Sequence, residues 1–253
     1  MRLHHLNFYP ILFPDCGRRL LQYTGLRIAG GSDAPAGSWP WIASLQYKNS
    51  HICGANLIAP GWLLTAAHCV LGIPLKCKFK INEMNNYKLN HSTSERRNYF
   101  RTGFCVCVCL EYIQPICLAE EIQSFIPGSM CHIAGWGSSH SVFLKLQEAS
   151  VPLVSRETCM NEMADSYVIT NHMICAGYAQ GGTDTCSGDS GGPLICEKEG
   201  REWLVGVTSF GVGCAQTNRP GIYAHVSSLL PWIKQQIEKA ERTKHISYER
   251  ETK

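Results

Sequence analysis

Fourteen cysteines in a chain of 253 residues constrain this protein more than any other feature of its sequence. Thiols at that density are unusual in a reducing cytosol. They imply a secreted protein, or one on the extracellular face of a membrane, stapled by disulfides. The chain is also 45% hydrophobic and 17% charged, with 23 Gly and 12 Pro. Such turn-rich globular composition excludes a disordered chain, a coiled coil or a collagen. A formal net charge of +3 is too near neutral to imply a nucleic-acid or anionic membrane partner. No stretch reaches the roughly 18 apolar residues of a spanning helix. Residues 1–14 are interrupted by His4, His5, Asn7 and Pro10 and lack a small-residue cleavage site, so they do not read as an export signal. The expectation is a fragment of a longer chain or an incomplete gene model.

Apolar segments at 41–47, 52–58, 131–134, 192–196 and 203–210 alternate with Gly, Pro, Ser and Asn, and predict an antiparallel sandwich or barrel. One helix closes the domain. Ser227 or Ser228 is its expected cap, Pro231 lies near its first turn, and Trp232, Ile233 and Ile237 form its apolar stripe. From Lys239 onward the sequence is charged and reads as a solvated, frayed tail. Asn90-His91-Ser92 is a glycosylation pattern of low specificity.

Two motifs carry chemistry. Gly188-Asp189-Ser190-Gly191-Gly192-Pro193 has the glycines that let a tight turn expose a serine hydroxyl and aim backbone N–H groups at a developing oxyanion. Alone it could be an ordinary Gly-rich turn. Leu64-Thr65-Ala66-Ala67-His68-Cys69 adds a histidine beside a cysteine, upstream of the serine, which is the chain order of one known triad architecture. Together the motifs resemble the trypsin/chymotrypsin family of serine proteases. The runs Tyr112-Ile113-Gln114-Pro115-Ile116-Cys117-Leu118 and Met173-Ile174-Cys175-Ala176-Gly177-Tyr178 resemble its enteropeptidase-like members in particular.

The resemblance implies an all-β fold of two antiparallel Greek-key barrels packed face to face, with a C-terminal helix. Residues 1–27 would be a pro-segment, 28–117 the first barrel, 118–240 the second barrel with its helix, and 241–253 the tail. Cleavage after Arg27 would free the Ile28 ammonium to pair with Asp189, ordering the oxyanion loop. Ser190 would be the nucleophile and His68 the general base, with the Gly188 and Ser190 N–H groups as oxyanion hole. Asp184 would select a Lys or Arg side chain of the substrate. Gly211 and Gly221 would leave that pocket open, Ser209 would help pair with the substrate backbone, and Ser187 would lie at the pocket rim. The implied disulfides are Cys16–Cys117, Cys53–Cys69, Cys131–Cys196, Cys159–Cys175 and Cys186–Cys214. The first would keep the pro-segment attached after cleavage. Implied partners are polypeptide substrates, an activating protease and protein protease inhibitors, with no cofactor.

The resemblance fails between Cys69 and Tyr112, where the family supplies the acid of its triad. The chain has five aspartates, Asp15, Asp33, Asp165, Asp184 and Asp189, and none lies in that stretch. Its carboxylates Glu83, Glu95 and Glu111 lack the expected flanks, so the triad acid reads as absent. Cys77, Cys105, Cys107 and Cys109 fall in the same anomalous region, 70–111. A tetrahedral thiolate site is one reading, but Cys-x-Cys-x-Cys on one extended strand is poor geometry for it, and no metal is expected. Apolar strand filler is another. The favoured reading is foreign sequence from a retained intron or lost exon, leaving the first barrel incomplete. The rival to an enzyme is therefore a non-catalytic homologue acting as a binding module, or a truncated isoform.

Overall fold

The computed structural model describes residues 16–19, 31–48, 50–71, 76–78, 113–120, 125–137 and 145–251, with backbone alone at 76–78 and 244–251. Its strands are β1 (Ser32–Asp33), β2 (Ile42–Tyr47), β3 (Ser50–Ala59), β4 (Trp62–Leu64), β5 (Lys76–Lys78), β6 (Cys117–Leu118), β7 (Met130–Gly135) and β8 (Gln147–Val154). After helix α1 (Arg156–Glu162) come β9 (Met173–Ala176), β10 (Pro193–Lys198), β11 (Arg201–Phe210), β12 (Gly221–His225) and helix α2 (Val226–Glu251).

The second half closes on itself. Strands β7, β8, β9, β12, β11 and β10 pair in a ring, because β8 bonds both β7 and β9 and β10 returns to β7. Alternating side chains fill it: Ile133, Val151, Leu153, Leu194, Val205 and Tyr223 are buried inside, beside the Cys131–Cys196 bridge. Closure removes the sheet edges that would otherwise need cover. β1 adds to the edge of β8 and β6 runs parallel to β11.

The first half, among the described residues, is a four-stranded sheet in the order β4-β3-β2-β5. Its apolar face, with Trp41, Leu45, Ala55 and Leu57, joins a core that also takes Ile195, Leu204 and Val207 from the ring and Val226 and Ile233 from α2. The two halves thus share one hydrophobic interface, and the catalytic motifs lie along it. Residues 79–112, which hold Cys105, Cys107, Cys109, Glu83, Glu95 and Glu111, are outside the described residues, as are Arg27 and Ile28.

The helix departs from expectation at both ends. Ser227 and Ser228 lie inside α2 instead of capping it, Ser228 donating to the His225 carbonyl at 2.8 Å, and Pro231 sits within the helix. The expected frayed tail is helical to Glu251. No Gly or Pro follows Pro231 in α2, and Glu238 and Arg242 are an i,i+4 pair, so nothing local stops the helix.

Candidate active site

The serine turn is wedged between the two halves. On one side Gly54 N–H in β3 donates to the Ser190 carbonyl at 2.8 Å, and Asn56 Nδ2 donates to the Gly191 carbonyl at 2.9 Å. On the other, Gly191 N–H donates to Thr208 O at 2.7 Å and Thr208 N–H to Gly192 O at 2.9 Å, tying the turn to β11. Gly191 has φ +80°, and a Cβ there would collide with Thr65 Oγ1 and the Gly54 carbonyl. Only glycine satisfies both the backbone and the space. Within the turn, the N–H groups of Asp189, Gly191 and Gly192 are spent on backbone carbonyls. Among the described residues those of Gly188 and Ser190 have no such acceptor.

His68 lies in a short 3-10 turn, Ala67–Cys69, directly after β4. The Cys53–Cys69 disulfide pins that turn to β3, and Cys69 Sγ lies 3.7 Å from the Ser190 carbonyl. Asn56 strengthens the link. It is fully buried, and its second amide hydrogen reaches the Leu64 carbonyl at 3.3 Å, so one side chain holds both the serine turn and the strand leading to His68. His68 itself is exposed. The Cys53 and Cys69 sulfurs near its ring are bonded to each other and offer no thiolate.

Asp189 is buried, and burial raises its carboxyl above the ordinary range. Cys186 N–H at 2.8 Å and Gly137 N–H at 2.7 Å donate to its two oxygens and oppose that shift. Beside it, His51 bridges from Ser44 Oγ at 2.8 Å to the Gly188 carbonyl at 2.8 Å, with its ring 5.0 Å from that of Trp136.

Asp184 sits below the turn. Its Oδ1 accepts from Thr185 N–H at 2.7 Å and its Oδ2 from Ala215 N–H at 3.4 Å. Burial outweighs these bonds and pushes its carboxyl up to about 6. Tyr223, fully buried beside it, has its phenol raised by the same desolvation and by the Asp184 charge. A Cβ on Gly221 would stand 2.5 Å from Asp184 Oδ1 and 3.1 Å from Tyr223 Oη. A Cβ on Gly211 would meet only Gly213 O, at 3.6 Å. Of the two, only Gly221 borders the Asp184 carboxyl, and a side chain there would crowd it. The Cys186–Cys214 bridge holds the two loops together, and Ser209 is the last residue but one of β11.

The five bridges among the described residues, Cys16–Cys117, Cys53–Cys69, Cys131–Cys196, Cys159–Cys175 and Cys186–Cys214, are the pairs that the resemblance implies. Sequence reasoning missed Asn56, His51 and Tyr223. Their roles come from contacts across the fold, and only the Asn56 position inside an apolar strand could have signalled a structural amide.

The serine turn and the histidine turn are thus tied together across the two halves by Gly54, Asn56 and the Cys53–Cys69 bridge. The sequence matches the trypsin family over residues 28–103 and 108–233, breaking only within the Cys-x-Cys-x-Cys run. Human atrial natriuretic peptide-converting enzyme is 39% identical over an alignment that takes in 88% of this chain and 24% of that protein's length. The chain belongs to the trypsin family of serine proteases.

Proposed function

We propose that the chain is the protease unit of a zymogen that cleaves peptide bonds after Lys or Arg, with turnover reduced by loss of the triad acid. The observation that supports the specificity is Asp184, a half-buried carboxyl against which Gly221 leaves the space that a side chain would fill. A guanidinium or ammonium entering there gains a charge-assisted pair. Ser190 attacks the scissile carbonyl, His68 takes and returns the proton, and the Gly188 and Ser190 N–H groups receive the oxyanion. Cleavage after Arg27 gives an Ile28 ammonium whose natural partner is the buried Asp189 carboxylate, and pairing offsets its desolvation. The disulfides support an extracellular setting. No described helix is long and apolar enough to cross a membrane.

The missing acid rests on where the aspartates lie. Asp33 pairs with Lys145 and Gln147, and Asp165 with Arg219. Asp184 and Asp189 serve the pocket and the turn, and Asp15 precedes the described residues. No carboxylate bonds His68 among the described residues. That favours a second reading, a homologue that binds basic side chains without turning substrate over. Treating the Arg27-cleaved chain with a serine-reactive fluorophosphonate separates the two. Slow labelling of Ser190, lost in Ser190→Ala, is expected, and no labelling would sink the catalytic reading.

A further inference from the structure

The active site leaves one buried charged cluster unused. Arg19 Nε donates to Glu202 Oε1 at 2.6 Å, with the two side chains only 14% and 9% exposed. The Arg19 guanidinium lies 5.0 Å from the centre of the Trp39 ring, and Trp39 Nε1 donates to the buried Glu148 carboxylate at 2.6 Å. The backbone of the same segment is also engaged. Gly17 N–H donates to Pro115 O at 2.9 Å, and Glu202 N–H donates to Gly17 O at 2.9 Å. Gly17 has φ +68°, and a Cβ there would strike the Glu202 carbonyl, so the segment is pressed flat on β11.

We propose that residues 16–19 are a docking element and that Glu202, Trp39, Pro115 and Cys117 form its receptor site on the protease unit. The occupant is this chain's own pro-segment, held by an ion pair and two backbone hydrogen bonds as well as by the Cys16–Cys117 bridge. Each part has a function. Cys16 gives the covalent tie, Gly17 allows close approach, and Arg19 pairs with Oε1 of Glu202, whose Oε2 has no hydrogen-bond partner among the described residues. Removing Arg19 strands a desolvated carboxylate in β11, the outcome that makes broken buried pairs costly. The site also gathers Trp39 and Glu148, and Glu148 is in register with Ser32 at the start of the protease unit. The pro-segment is thus packed as a structural part of the unit it precedes. The inference stands on these contacts and not on catalysis, so failure of Ser190 to label leaves it intact.

A double-mutant cycle on the full chain, with the disulfide retained, tests it. Arg19→Met alone should lower Tm by about 6–20 °C, and Glu202→Leu should rescue most of that loss in the double variant, because an apolar pair replaces a buried ion pair at little cost. Additive losses, or single losses under about 2 °C, would overturn the proposal. Amide hydrogen exchange supplies a second reading that needs no stability change. In Cys16→Ala/Cys117→Ala, the Gly17 and Glu202 amides should stay protected, and adding Arg19→Met should abolish that protection. Loss of protection on removing the disulfide alone would show that the bridge, not the latch, holds the segment.

Discussion

The ring β7–β12 and the sheet β2–β5 share one site but hold their parts of it differently. The ring carries Asp184, the Gly188–Ser190 turn and Asp189, and braces them with Cys131–Cys196, Cys159–Cys175 and Cys186–Cys214. The sheet carries His68 on a 3-10 turn fixed by Cys53–Cys69, and its tie to the serine turn is a few hydrogen bonds from His51, Gly54 and Asn56. On the proposed assignment, substrate selection and oxyanion binding belong to a closed, cross-linked body. On the same assignment proton transfer belongs to the half that holds His68, where no carboxylate bonds it among the described residues. The difference predicts that recognition and turnover are separable in this chain.

The largest expected effect is on turnover. Neutralising the acid of a serine-histidine triad costs about 10⁴ in kcat, while the oxyanion hole and binding retain much of the rest. An arginine ester should be hydrolysed about 10⁴-fold more slowly than by a family member with an intact triad. p-Aminobenzamidine, which needs only the pocket, should bind as it does to that protein. Turnover near that of the intact enzyme would mean that a carboxylate outside the described residues completes the triad. Loss of amidine binding would mean that the ring is not an independent body.

The next effect lies within the ring. Asp184→Asn should weaken p-aminobenzamidine binding by about 10²–10³-fold, since truncating one partner of a desolvated charge pair costs about 2–5 kcal/mol. The fluorophosphonate reaction at Ser190 should be unchanged, because that reagent carries no cation. If the Asp184→Asn variant kept its amidine affinity, another group would be selecting the ligand.

What can be read from sequence follows the same division. The serine turn, the His68 segment and Asp184 are legible because their chemistry is local: a few neighbouring residues dictate a turn, an exposed hydroxyl or a carboxylate. The strands are legible because burial on one face imposes alternation, as at Val151 and Leu153 in β8. Contacts between distant segments are not legible. Asn56 meets Gly191 across 135 positions, and Arg19 meets Glu202 across 183. Read alone, the first is an odd polar residue in an apolar strand and the second an exposed-looking base beside a cysteine. The end of α2 escapes the sequence for another reason. Its charge suggests fraying, whereas a run free of Gly and Pro needs no burial to continue an established helix.

A smaller effect tests the seam between the halves. Asn56→Leu removes the amide that holds both Gly191 O and Leu64 O, so the turn and the His68 strand lose a common anchor. Labelling of Ser190 should slow by about 10- to 100-fold, the cost of a buried unmet carbonyl plus misplaced reacting groups. Amidine affinity should stay within about twofold, because Asp184 is anchored inside the ring. Equal losses in both readouts would show a general loosening instead of a seam.

The smallest effect is a pH dependence confined to the ring. Burial raises the folded Asp184 pKa to about 6, while its carboxyl ionises near 3.8 when exposed. The folded state therefore binds this proton more tightly than the unfolded state does. Its stabilising contribution is present below about pH 4 and is lost as pH rises from about 4 to about 6, where the buried carboxylate must ionise. Amidine binding runs in the opposite sense, since the amidinium needs the carboxylate. Affinity should be flat above about pH 7 and fall about tenfold by pH 5, whereas a carboxyl with an ordinary pKa would show almost no change over that range. Fluorescence titration of p-aminobenzamidine from about pH 5 to about pH 8 measures this directly. His68→Ala should keep the profile, because His68 belongs to the other half, and Asp184→Asn should abolish it. A profile that followed His68 instead would place the pH-sensing group in the sheet and join the two halves into one electrostatic unit.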